Sequence, residues 1–131
     1  MLSGPDVILI LKVAVAAVTP ILIASLGCLV AGKYRWHGRL NIAFFVLTLG
    51  AVLGLEVVIR FVDPRIFDYF TDADRRAMSW HLSFSIPSAL LLPLMLFSGL
   101  THRRRPHMLM GALFLACWAG TFVTGIFFLP N

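Results

Sequence analysis

Charge is what this sequence lacks most. Only 13% of its 131 residues are Asp, Glu, Lys or Arg, about half the share in soluble domains. The longest polar stretch, residues 60–77, is too short for a water-soluble domain. Cysteine is almost missing: Cys28 and Cys117 both sit in apolar runs, so neither a disulfide framework nor a CxxC site is indicated, and both read as small packing residues. No HxxxH or HxxE pair falls on one helix, and no nucleophile–base or metalloprotease pattern occurs. That argues against an ordinary hydrolase and leaves no catalytic residue to name. The first six residues carry no positive charge and the apolar run after them is too long for an h-region, so the N-terminus reads as a retained helix and not as a cleaved signal.

Hydrophobic residues, by contrast, make up 60% of the chain and fall into four blocks, residues 7–32, 40–59, 78–100 and 108–129. Each reaches the ~20 residues that cross ~30 Å of hydrocarbon. The blocks are apolar nearly all round, whereas a soluble bundle keeps a polar face on every helix. The expected fold is all-α: one membrane domain over residues 1–131, an antiparallel up-down bundle of four transmembrane helices with lipid as its solvent. The formal charge of +5 and pI near 10.0 do not indicate nucleic acid, because the basic residues flank the spans and form no basic domain.

Loops one and three hold Lys33, Arg35, Arg39, Arg103, Arg104 and Arg105, six of the eleven Lys and Arg residues. The positive-inside rule places these loops in the cytoplasm and both termini outside. Loop two offsets Arg65, Arg75 and Arg76 with four aspartates. Asp63-Pro64 reads as a turn, Thr71-x-x-Asp74 as a helix cap, and Phe61, Phe67, Tyr69 and Phe70 suit an interfacial connector.

Function is sought first in ionisable groups at membrane depth. Lys12, Glu56, Arg60 and His81 fall at one outer level on three helices. They either fix helix register or bind a metal, a proton or a ligand, with Glu56 and His81 as the candidate metal ligands. Ser85 and Ser88 extend the His81 face. At the other end lie His37, His102 and His107, beside Tyr34 and Trp36. His37 and His107 match in depth and are the candidate cofactor ligands, while His102 is a further candidate for a divalent metal. Contact with lipid phosphate is the alternative. Gly50-x-x-x-Gly54 and Ala116-x-x-x-Gly120-x-x-x-Thr124 predict close helix approach, and Pro20, Pro87 and Pro93 predict kinks.

One further pattern runs through nearly the whole chain. It comprises the basic loop into His37-Gly38-Arg39-Leu40, His81 early in the third span, Leu92-Pro93-Leu94, the arginines before His107, and Trp118 with Thr124-Gly125. In these the chain resembles the bacterial four-helix membrane proteins grouped as domain-of-unknown-function family 420, also called YozB-like or CtaM-like. The resemblance implies a protein of the bacterial cytoplasmic membrane that serves maturation of haem–copper terminal oxidases, with His37, His81 and His107 as metal or haem ligands. Relatives tend to carry Tyr and His where this chain has Glu56 and Arg60, and Asn in the first span where it has Lys12. The leading expectation is therefore a non-enzymatic accessory or assembly factor with the oxidase as partner. Copper, zinc or haem b are the cofactors considered, and the oligomeric state is left open. The alternatives are a small b-type or quinone-linked electron carrier, or a structural subunit of a larger membrane complex.

Overall fold

The computed structural model describes residues 3–130 and contains four long helices. α1 spans Gly4–Val30 and α2 spans Tyr34–Val57, extended by a π-helical turn at Val58–Val62. α3 spans Asp72–Leu100 and α4 spans Arg104–Val123, again ending in a π-helical turn, Thr124–Phe128. All four are long and apolar enough to cross a membrane. Their outward faces carry exposed Leu9, Ile10, Val13, Ile23, Leu53, Ile86, Leu90 and Phe127, a surface that only hydrocarbon solvates at low cost. The result is a multi-pass, all-helical bundle.

α2, α3 and α4 start four to six residues earlier than the apolar blocks do. Of the loop basic residues, Arg35, Arg39, Arg104 and Arg105 lie inside α2 and α4 and Lys33 and Arg103 stand at their N-caps, and the acidic stretch before the third block forms the first turn of α3. Thr71 accepts from the Asp74 N–H and the Asp74 carboxylate accepts from the Thr71 N–H, the capping box expected from sequence. Ser3 and Asp6 build the same box on α1, a match the sequence reading did not make.

The linker between α2 and α3 turns at Asp63, whose carboxylate accepts from the Arg65 N–H. It then lies across the start of α1. Ile66 and Phe70 are buried, and Gly4 packs under the Tyr69 ring and the Ile66 carbonyl, leaving no room for a Cβ. Burial, with the Asp74 carboxylate nearby, raises the Tyr69 phenol above its ordinary pKa.

α1 packs along α2, α3 packs along α4, and contact between the two hairpins is sparser, running mainly along α2 and α3. The centre is a cluster of Val18, Leu22, Phe44, Leu92, Met95, Phe114 and Trp118. Phe44 meets Phe114 at 5.9 Å and Trp118 at 5.0 Å edge-to-face, so rings from α2 and α4 tie the hairpins together.

The two hairpins repeat one another. Along the chain at one constant offset, His37 corresponds to His107, Phe44 to Phe114, Lys33 to Arg103, and Gly32 to His102. Gly32 and His102 both take the left-handed conformation that closes the three-residue loops, at φ 78° and 57°. The Lys33 N–H donates to Cys28 O and the Arg103 N–H to Ser98 O, at corresponding positions. Since α1 and α3 run the same way, this is a parallel repeat.

Two packing expectations fare differently. Gly50 and Gly54 are exposed, and nothing lies within 4 Å of where their Cβ atoms would be, so this GxxxG face meets no other helix of the chain. On α4, Gly120 lies directly against the Phe84 ring, so the close approach expected of this face is present, and its partner is α3.

Candidate functional site

The parallel repeat places the two histidines at the same level on α2 and α4, and their rings meet with centroids 6.3 Å apart at an interplanar angle of 80°. Each is held by a backbone carbonyl twelve residues earlier, on the first helix of its own hairpin. His37 Nδ1 lies 2.9 Å from Ser25 O, and His107 Nδ1 lies 2.8 Å from Met95 O. Around His37 the bonding fixes the tautomer. The Ser25 hydroxyl donates to Asn41 Oδ1 at 2.6 Å, which turns the Asn41 amide N–H towards His37 Nε2 at 3.2 Å. His37 Nε2 therefore accepts, and the proton sits on Nδ1. His107 is braced similarly, with Ser98 Oγ at 3.5 Å and also bonded to Met95 O. It can lie this close to α3 because residue 99 is glycine: a Cβ there would stand 2.9 Å from His107 Cε1.

The pair sits in a cleft of about 890 Å³, within the ~300–1,000 Å³ range of small-molecule sites. Its walls include Leu29, Ile42, Leu96 and Leu100, and its rim carries Arg35, Arg39, Arg103, Arg104 and His102. Arg39 stacks on Trp36, 5.3 Å from the ring centre. The cleft thus combines an apolar body, two oriented imidazoles and a cationic mouth. Sequence reasoning placed His37, His102 and His107 at one level, and the structure brings all three to this cleft. It missed Ser25 and Asn41, although a polar residue one helical turn after a histidine in an apolar run was a usable signal.

The outer cluster is not assembled as a site. Glu56 pairs with Arg60 at 2.7 Å within α2, and both are substantially exposed. His81 Nδ1 instead meets Thr124 Oγ1 at 3.0 Å across the α3–α4 interface, over Gly125. Lys12 reaches the Leu129 carbonyl at 2.8 Å. His81, Glu56 and His102 form no common ligand set, and among the described residues no three His, Cys, Asp or Glu side chains gather where a metal ion could sit. The reason is helical geometry. Equal depth puts residues at one level without turning them towards one another, and the (i, i+4) Arg60 is the nearer partner for Glu56. Ser88 behaves as an interhelical bonding group, 3.2 Å from Thr121 Oγ1.

No family model, curated protein or solved structure matches the chain.

Proposed function

We propose that this chain is a non-enzymatic accessory factor that holds a haem between His37 and His107, in the service of assembling a respiratory haem–copper oxidase. The observation that carries the haem reading is the spacing of the two rings. Metal–nitrogen bonds of ~2.0–2.1 Å put the centres of two imidazoles roughly 6 Å apart when they bind opposite sides of one ion, and the observed separation is 6.3 Å. Donor count points the same way. Zinc sites call for three or four protein ligands, whereas a porphyrin supplies four nitrogens and needs two axial ligands.

The remaining features suit the same occupant. Both Nδ1 atoms are committed to backbone carbonyls, which leaves Nε2 as the ligating atom and raises its basicity. At His37 a ligated metal replaces the long bond from Asn41. The apolar walls suit a macrocycle, and the guanidinium rim suits its carboxylates. Assembly of a terminal oxidase, residence in the bacterial cytoplasmic membrane and a cytoplasmic position for the basic loops rest on the family resemblance and on the distribution of Lys and Arg.

Haem titration of the purified protein tests the site. The expected result is saturable one-to-one binding, with a low-spin, six-coordinate spectrum that His37→Ala or His107→Ala converts to a five-coordinate one and His81→Ala leaves unchanged. Absence of saturable binding by the wild-type protein would refute the haem reading. In cells, deletion should lower the amount of assembled oxidase, and His37→Ala should fail to restore it. A b-type electron carrier would leave oxidase assembly unchanged.

A further inference from the structure

A second cavity lies deeper in the bundle, away from the histidines. It has a volume of about 120 Å³ and is lined by all four helices. This is the same order as the ~150 Å³ apolar cavity that admits a benzene ring. Its lining includes Thr48 from α2 and Trp118 from α4. Trp118 is 7% exposed, yet its indole N–H makes no hydrogen bond, and neither does the buried Thr48 hydroxyl. Leaving such a group dry costs ~1–3 kcal/mol. The rest of the lining is chiefly aliphatic, with Phe114 stacked on the Trp118 ring at 5.9 Å. Val52 and Ala89 line the cavity and are also exposed on the bundle surface, so it opens to lipid between α2 and α3, along the seam where the two hairpins meet.

Depth narrows the occupant. Thr48 stands at the midpoint of the Tyr34–Val62 helix, and Trp118 lies within a turn of the midpoint of Arg104–Phe128. The glycerol esters and headgroups of lipids begin roughly 15 Å away, half the ~30 Å hydrocarbon thickness. An acyl chain at this level has no acceptor to offer, and a single water, of ~30 Å³ in the liquid, would answer the two groups yet leave most of the chamber between the apolar walls empty. We propose that the cavity binds the ring of a lipophilic carbonyl compound of the isoprenoid quinone type. The ring enters between Val52 and Ala89, its carbonyl accepts from the Trp118 N–H and the Thr48 hydroxyl, and its tail remains in the bilayer. This binding is independent of the haem reading, since the cavity shares no residue with the histidine cleft.

The test is equilibrium binding of a decyl-substituted benzoquinone to the full chain in nanodiscs, with decylbenzene as the carbonyl-free comparison. Saturable quinone binding is expected, with decylbenzene unable to compete. Trp118→Phe, which keeps an aromatic side chain and removes the donor, should weaken binding at least about tenfold. Ala89→Phe, which fills the mouth at the lipid surface, should do the same without touching the central cluster. Infrared spectra of carbonyl-labelled quinone should show a lowered stretching frequency that Trp118→Phe raises part of the way back, the Thr48 hydroxyl remaining as a donor. No saturable binding, equal competition by decylbenzene, or unchanged affinity and carbonyl frequency in a folded Trp118→Phe variant would each overturn the proposal.

Discussion

A single methyl group decides whether His107 can stand where it does. An alanine at position 99 would bring its Cβ to 2.9 Å from Cε1 and 3.0 Å from Nδ1 of the ring, closer than real Cβ contacts allow, and the ring is rigid. It must tilt away, which stretches the 2.8 Å bond to Met95 O. Gly99→Ala is therefore expected to lower haem affinity at least about tenfold, the loss of one well-aligned hydrogen bond. Gly111→Ala serves as the comparison, because its Cβ meets only Met95 Sδ at an ordinary 3.8 Å. Parallel haem titrations of the two variants check this, and equal affinities would show that ring placement does not govern the site. At this scale the sequence was only partly legible. The imidazoles and arginines were visible because they are costly at the membrane. The groups that orient the imidazoles are main-chain carbonyls of Ser25 and Met95, which any residue supplies, so no side-chain pattern announces them.

At the scale of helices, hydropathy located the apolar middle of each span and misplaced the ends. A helix continues through the interface wherever its N–H groups find caps, whatever the charge of its side chains. The capping box at Thr71 is what lets α3 begin in an acidic stretch. Thr71→Ala should cost about 1 kcal/mol in unfolding free energy. Amide exchange should accelerate at residues 72–75 while the middle of α3 stays protected. The glycine pair on α2 shows the converse limit. Spacing of four proves that Gly50 and Gly54 share a face, but not which face meets another helix, and that face is open. Orientation belongs to the same scale. In a variant whose native cysteines are replaced, Lys33→Cys and Arg103→Cys should react with an impermeant thiol reagent from the cytoplasmic side, and Arg65→Cys from the other. Labelling of all three from one side would exclude the four-span topology.

At the scale of the whole molecule, two similarly built hairpins face each other, and this organises the histidine cleft. Each copy contributes one imidazole held by its own first helix, one phenylalanine to the centre, and basic residues to the same rim. The repeat was hidden in the sequence because the matched positions are few and lie in apolar runs of interchangeable residues. Only the loops and the histidines keep register. The copies differ where the bonding differs: Ser25 and Asn41 hold His37, while Met95 and Gly111 occupy the corresponding positions beside His107. Near-symmetry makes a prediction that a one-sided site would not. Replacing either histidine alone by alanine should leave the same five-coordinate, high-spin haem, with similar affinities, and added imidazole should restore the six-coordinate spectrum in both. The double variant should bind no haem saturably. The Asn41 bond introduces the one expected inequality. His107→Ala leaves a histidine whose Nε2 must still give up its amide partner, so this variant should bind haem somewhat more weakly than His37→Ala. Spectra of the three variants measured side by side decide the matter. A single variant that keeps the six-coordinate spectrum would place the second ligand elsewhere, outside the symmetric pair.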